Sequence, residues 1–451
     1  MMKNINNKAN DKNDDLIEGN KTQNCCSSNS VEESKENNEY KITVSENGHF
    51  TLPDELIKML GVEEDSPVRV IKQGDRLEIY PNIHSLGKVY IEATALCNLT
   101  CQTCVRNSWS EKMGNMDINT FDMLVEQLKE FKALQTVMFG GFGEPTFNKN
   151  ILYMIDRVKA LGVKAEMVTN GTLLNKDMVE ALLEKALDTL WVSFDGTSAK
   201  YFDDIRAGAS FDSVVENLKL LKRLNSRSKH KIKVGIAFVV MKRNLSELKN
   251  LSDLAVHVGA KMISVSNVLP YCSEMLDQML CEGIIYGSHR SEKFTSIPIS
   301  LPLIDGDKIL NESFSGFLEH NFNISIMRNK IIPDTPSCRF IKERCTFVRW
   351  DGQVSPCMGL LHSYNSYFTS DRSTREVTSY SLGSISEKTL KDIWNSQEYH
   401  DFREKVDSFN FSPCVRCGPC SLASKNHEDC FGNDFPTCGG CLWAQGVIQC
   451  P

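Results

Sequence analysis

Cys97-Asn98-Leu99-Thr100-Cys101-Gln102-Thr103-Cys104 is the stretch on which the reading of this chain turns. Its cysteines stand at C-x3-C-x2-C spacing, directly after a strand-like run at residues 88–94. Three thiolates so spaced wrap three irons of a cubane and leave the fourth iron open to a ligand; a closed four-cysteine site would only carry electrons. The alternative is a zinc site short of one ligand.

Outward from this loop the pattern alternates. Strand-like runs at 88–94, 136–141, 164–169, 189–195, 231–240 and 262–268 are separated by helical patterns such as 119–131, 175–187, 211–225 and 246–258. Six such units imply a parallel sheet covered by helices through right-handed crossovers. The sheet is either a partial barrel or an open doubly wound one, and in both ligands gather at the C-terminal ends of the strands. Polar motifs end three strands at that rim. Gly140-Gly141-Phe142-Gly143-Glu144-Pro145 follows the second; its glycines admit a ligand to the backbone, and Glu144 can pair with an ammonium. Thr169-Asn170-Gly171-Thr172 ends the third and Ser193-Phe194-Asp195-Gly196 the fourth.

Together the cysteine loop and these strand ends resemble the radical S-adenosylmethionine (SAM) superfamily, whose fold is a partial (β/α)6 TIM-type barrel. The resemblance implies that Cys97, Cys101 and Cys104 hold a [4Fe-4S] cluster that reductively cleaves SAM to a 5′-deoxyadenosyl radical. It places Gly141, Gly143, Glu144, Asn170, Ser193 and Asp195 around SAM. Arg206, in Tyr201–Phe211, matches an arginine that clamps the SAM carboxylate. No residue is singled out as a catalytic acid or base.

Of the 17 cysteines, ten fall between Cys338 and Cys450: Cys338, Cys345, Cys357, Cys414, Cys417, Cys420, Cys430, Cys438, Cys441 and Cys450. Such density in a reducing compartment points to metal rather than disulfides. The region 338–451 resembles the SPASM extension of peptide- and protein-modifying radical SAM enzymes, which implies two auxiliary [4Fe-4S] clusters. Cys338, Cys345, Cys357 and one later cysteine would serve the first, and the rest the second, with two of the ten spare because two clusters take up to eight ligands. Zinc remains the alternative for the C-x2-C pairs. The spacing departs from the family: Cys417 is followed by Cys420 after two residues, not five. Met358 stands where sulfatase-maturing members carry an Asp, which counts against formylglycine formation. Cys438–Pro451, with Thr189–Gly196 and Asn267–Tyr271, resembles the radical SAM maturases of tungsten-dependent aldehyde oxidoreductases.

The 451 residues carry a formal net charge of −7, with 41% hydrophobic and 24% charged residues. No global basic field attracts nucleic acid or anionic lipid. No apolar run approaches the roughly 18 residues a membrane helix needs, and a cytoplasmic location is expected. Residues 1–38 are too polar to offset their ordering entropy and read as a disordered tail in which Cys25 and Cys26 are incidental. Residues 39–84 hold two expected hairpins and a short helix ended by Gly61. Ser45–Val62 resembles the AbrB-type swapped-hairpin domain, which implies a homodimer or a partner-docking role ahead of DNA binding. The remaining boundaries are a radical SAM core at 85–270 and a connecting insertion at 271–337.

Cys272 and Cys281 read as incidental thiols or substrate contacts, and His257 as a core residue. His362 reads as a residue that can face substrate, Asp351 as a turn residue, and Asn267 and Pro270 as candidate substrate contacts. Lys219, Lys222 and Arg223 read as a solvated face. The implied activity is maturation of a tungsten enzyme or its cofactor, with ferredoxin or flavodoxin as electron donor. The rival activities are thioether or carbon–carbon crosslinking of a peptide, and DNA-bound redox or iron sensing.

Overall fold

The structure is a computed structural model that describes residues 42, 46–47, 49–62, 67–73, 76–280, 338–368, 372–416 and 420–451. The chain divides into two compact units, residues 1–53 and 54–451. Everything below concerns the larger unit.

Its frame is one eight-stranded sheet. Strands β3 (Lys88–Ile91), β4 (Thr136–Phe139), β5 (Lys164–Thr169), β6 (Thr189–Phe194), β7 (Lys233–Val240) and β8 (Met262–Asn267) pair in parallel, each beside the next in sequence. A doubly wound sheet reverses direction at a switch point, whereas barrel winding adds every unit on the same side. The uninterrupted order therefore decides for barrel-type winding. All six strands lie within three residues of their expected bounds.

Helices α2 (Ile118–Leu128), α3 (Ile151–Lys159), α4 (Lys176–Glu184), α5 (Ala199–Ile205), α6 (Phe211–Arg227) and α7 (Leu251–Val258) fall between the strands. Each is placed by its local sequence. Asp117 caps α2 by accepting from the Thr120 amide at 3.0 Å. In α6, Val214, Val215, Leu218 and Leu221 form the buried stripe of a 3.6-residue period. In α7 the buried stripe is Leu251, Leu254, Ala255 and Val258, which leaves His257 exposed. The expectation that His257 belongs to the core is corrected: it sits one residue off the apolar stripe. Lys222, which donates to the carbonyls of Val256 and His257, is exposed as expected.

The cysteine-rich region does not stand apart from this frame. Strand β9 (Cys345–Val348) pairs in parallel with β3, and β10 (Val354–Ser355) pairs antiparallel with β9, so the sheet continues into the C-terminal region. Strands β11 (Tyr364–Tyr367) and β12 (Thr374–Val377) form a separate hairpin.

Helix α1 (Asp54–Leu60) and the hairpin of β1 (Arg69–Gln73) and β2 (Arg76–Tyr80) match the expected elements. Gln135 donates to the carbonyls of Lys58 and Met59, and Arg344 to those of Leu60 and Gly61, so the helix end is capped by the sheet region. The earlier expected strand near residues 40–44 lies largely outside the described residues. So do the expected disordered tail and most of the expected insertion, including Cys281. Among the described residues, no helix is long and apolar enough to cross a membrane.

Candidate active site

The loop carrying Cys97, Cys101 and Cys104 leaves the C-terminal end of β3 and is tied to its neighbours on several sides. Thr100 and Gln102 donate their amides to the carbonyls of Ala207 and Ile205 after α5, and Asn98 donates to Thr172 beyond β5. Arg106 crosses beneath the loop, donating to the carbonyls of Ala95 and Leu99 and to the Cys104 sulfur at 3.2 Å. Asn170 reaches the Cys97 sulfur at 3.8 Å. Burial pushes the Cys97 and Cys101 thiols up, Cys101 to about 11 against the pull of Arg206. Metal binding at these positions must therefore displace protons.

The expected partner motifs share this rim. Gly143 brings the turn after β4 against the start of the cysteine loop. A methyl group there would lie 2.0 Å from the Thr94 carbonyl oxygen, so only glycine allows the approach. The Glu144 amide completes it by donating to Leu96 at 2.8 Å. The Glu144 carboxylate does not point freely into the rim. It is buried and accepts from the Thr146 amide and hydroxyl, the Thr169 hydroxyl and the Asn170 amide. Three of these bonds fall on Oε1 and only the one from the Asn170 amide on Oε2, so Oε2 keeps an acceptor position. Glu144 thus braces the β4 and β5 ends, and its Oε2 remains able to meet the expected ammonium. Asp195 is fully buried, accepts from the Val239 amide, and lies 3.0 Å from Arg206. Ser193 is half-buried near the end of β6.

Three residues that the sequence did not bring together meet beside this rim. Burial alone would lower the His362 pKa, but its hydrogen bonds to Glu111 (Nδ1, 2.8 Å) and Glu92 (Nε2, 2.9 Å) outweigh burial and push it up to about 9. Burial would raise Glu111, but the bonds from His362 and Ser363 hold it down to about 2. Trp109 stacks on the imidazole at 4.1 Å. Glu92 follows β3 and approaches the Gly141 turn, while His362 belongs to the cysteine-rich region. The trio straps that region to the mouth of the sheet. Neither glutamate carried a sequence signal, because the partners are 251 and 270 residues from His362.

The C-terminal cysteines separate into groups. Cys338, Cys357, Cys438 and Cys441 line one pocket, with Gly359, Gly440 and Arg375. Cys345 begins β9 opposite Lys88, within electrostatic reach of Cys338. Cys450 accepts from the Trp443 indole at 3.3 Å. Cys414 is buried beside Phe368 and Ala423, Cys420 and Cys430 are exposed, and Cys417 lies outside the described residues. Cys272 is half-buried. Asn267 donates to the Val447 carbonyl, and the Pro270 carbonyl accepts from Tyr367, so both join β8 to the C-terminal region. Asp351 accepts from Arg349 and the Gln353 amide, as a turn residue does.

His84, His400 and Glu404 bring ligand atoms within 4.8 Å of one another. Arg403 donates to His84 Nδ1 at 3.1 Å, which leaves the neutral ring's proton on Nε2 to be given to Glu404 at 2.7 Å. That nitrogen is therefore occupied by a proton rather than open to a metal.

The Radical SAM superfamily profile matches residues 91–255, and an iron–sulfur cluster-binding domain profile matches residues 338–421. The chain is 30% identical over 370 residues to the tungsten-containing aldehyde ferredoxin oxidoreductase cofactor-modifying protein of Pyrococcus furiosus, covering 80% of this chain and 96% of that one. The chain belongs to the radical SAM superfamily. A second relative, the antilisterial bacteriocin subtilosin biosynthesis protein of Bacillus subtilis, is 29% identical over 38% of this chain and 37% of its own length. The structure of Streptococcus suis SuiB bound to S-adenosylmethionine aligns with a TM-score of 0.49 at 18% identity, over 75% of this chain and 72% of that one.

As a radical SAM enzyme with a cluster-binding C-terminal domain, the chain uses [4Fe-4S] clusters and SAM, and its geometry fits both. Sulfurs around a tetrahedral zinc at about 2.3 Å sit roughly 3.8 Å apart. Among the described residues, no three cysteine sulfurs lie within 4.8 Å of one another. Cys338, Cys357, Cys438 and Cys441 lining one pocket form the four-thiol donor set that an iron–sulfur cluster takes. At the SAM side, Arg206 Nε is buried without a hydrogen-bond partner among the described residues. A buried guanidinium N–H beside the Cys101 loop is ready to donate to a carboxylate.

Proposed function

We propose that this enzyme modifies a client in the maturation of a tungsten-cofactor oxidoreductase, acting on the cofactor or on the protein that holds it. The observation that carries this reading is the likeness to the Pyrococcus furiosus cofactor-modifying protein, which covers 80% of this chain and 96% of that protein's length. When bound, the cluster and SAM supply a 5′-deoxyadenosyl radical that removes a hydrogen atom from substrate.

The chain's own residues do the rest. Cys97, Cys101 and Cys104 hold the cluster at the end of β3. Arg206 takes the SAM carboxylate through its open Nε edge, with Asp195 fixing its orientation. Gly141, Gly143 and the braced Glu144 shape the turn against which SAM lies. Asn170 and Ser193 contribute polar groups from the ends of β5 and β6. Eight of the ten C-terminal cysteines between Cys338 and Cys450 supply the ligands of two auxiliary clusters. The strap of Glu92, His362 and Glu111 holds the cluster-binding region over the rim and excludes water from it. A cytoplasmic ferredoxin or flavodoxin donates the electron, and the N-terminal hairpins serve dimerisation or client docking.

The test is anaerobic. The reconstituted enzyme is incubated with SAM, reductant and either a tungsten-oxidoreductase preparation with its pterin cofactor or cysteine-containing peptides. Stimulated 5′-deoxyadenosine release with a mass change in the tungsten client or cofactor supports the reading. A mass change confined to the peptides would move the enzyme among peptide crosslinkers.

A further inference from the structure

Arg375, on β12, is 3% exposed, yet among the described residues no carboxylate pairs with it. Its Nη1 donates to the Ala423 carbonyl at 2.7 Å, and its guanidinium lies 5.8 Å from the Phe368 ring centre. The charges it faces are the sulfurs of Cys414, Cys438 and Cys441 and the Tyr364 hydroxyl. Gly440 permits the approach, because a methyl there would sit 2.3 Å from Arg375 Nη1. The same side chain lines the pocket that gathers Cys338, Cys357, Cys438 and Cys441.

A buried cation without a counter-charge is strongly unfavourable. With only protonated thiols at Cys414, Cys438 and Cys441 facing it, Arg375 would be in that position. With four thiolates around iron it is not. Half of this ligand set, Cys438 and Cys441, lies beyond the matched cluster-binding region, which ends at residue 421.

We propose that Cys338, Cys357, Cys438 and Cys441 hold one auxiliary [4Fe-4S] cluster and that Arg375 is its built-in counter-cation, setting its reduction potential. The inference rests on the radical SAM reading of the chain. One-electron reduction adds one negative charge to the cluster and makes or breaks no bond. A fixed guanidinium lining the same pocket stabilises the reduced form more than the oxidised form, so it raises the potential. Arg375 is a positioning residue in this scheme, not a catalytic one.

The experiment uses the full chain carrying Cys97→Ala, Cys101→Ala and Cys104→Ala, so that auxiliary clusters alone give signals. Iron content is measured, then EPR-monitored redox titrations are run on Arg375→Met, Arg375→Lys and Gly440→Ala. The expected result is unchanged iron, a more negative midpoint for one cluster in the Met variant, and a near-parental midpoint in the Lys variant. Gly440→Ala, which displaces the guanidinium, shifts the midpoint in the same direction as the Met variant. Unchanged iron with an unchanged midpoint in Arg375→Met overturns the counter-cation role. Should the Met variant lose its iron, Gly440→Ala decides, and an unchanged midpoint there is equally fatal. A separate Cys438→Ser, Cys441→Ser variant that retains all its iron shows that no cluster sits in this pocket, whatever the midpoints do.

Discussion

At the scale of single residues, Arg206 combines a buried, unpartnered Nε with an ion pair to Asp195. A charge-assisted hydrogen bond contributes about 1.5–3 kcal/mol, so Arg206→Lys, which loses the planar fork, should weaken SAM binding by about 10- to 100-fold. Calorimetry with the reconstituted enzyme measures this, and an unchanged affinity removes Arg206 from the SAM site. Gly143 makes a second point. A methyl group 2.0 Å from the Thr94 carbonyl forces the backbone apart, so Gly143→Ala should cost about 3 kcal/mol of stability in denaturant titration. The glycine and the arginine were both legible as motifs. The brace role of Glu144 was not, because its four donors are assembled by folding from the end of β5 and the turn after β4.

At the scale of elements, the strap between Glu92, His362 and Glu111 governs how the cluster-binding region seats on the sheet. Removing the imidazole with His362→Ala leaves the Glu92 carboxylate buried without its cation, a change that costs about 3–5 kcal/mol. The strap also predicts a pH dependence. The folded pKa of His362, about 9, lies above its ordinary 6.5. Its contribution is therefore complete below about pH 6.5 and lost as pH rises through about 9. Glu111 runs the other way: held near 2 from an ordinary 4.5, it stabilises above about pH 4.5 and loses that effect as pH falls toward 2. Unfolding midpoints across pH 2–10 should form a plateau near pH 4.5–6.5 in the parent, and His362→Ala should flatten its alkaline edge. Alkaline sensitivity that persists in the variant contradicts the strap. Strands and helices were readable because their periodicity is local. The strap was not, since it joins positions more than 250 residues apart through chemistry with no spacing rule.

At the scale of the whole molecule, barrel-type winding and the C-terminal region form one construction. The cysteine distribution announced a metal-held region, but β9 pairing with β3 had no sequence signal: Cys345–Val348 is a short apolar run like many others. That strand sets Cys345 opposite Lys88, while Cys338 and Cys357 line the pocket. Truncation after residue 337 should therefore expose the β3 edge and produce an aggregating core rather than a soluble barrel, as sedimentation would show. The central claim is that Cys97, Cys101 and Cys104 hold a SAM-cleaving cluster beside separate auxiliary clusters. Its most direct test is to count iron and assay 5′-deoxyadenosine after anaerobic incubation with SAM and dithionite, in the parent and in the variant with all three cysteines changed to Ala. The account predicts roughly twelve irons in the parent, a loss of about four in the variant, and complete loss of 5′-deoxyadenosine. A zinc-filled parent that releases no 5′-deoxyadenosine, or a variant that still releases it, would contradict the account.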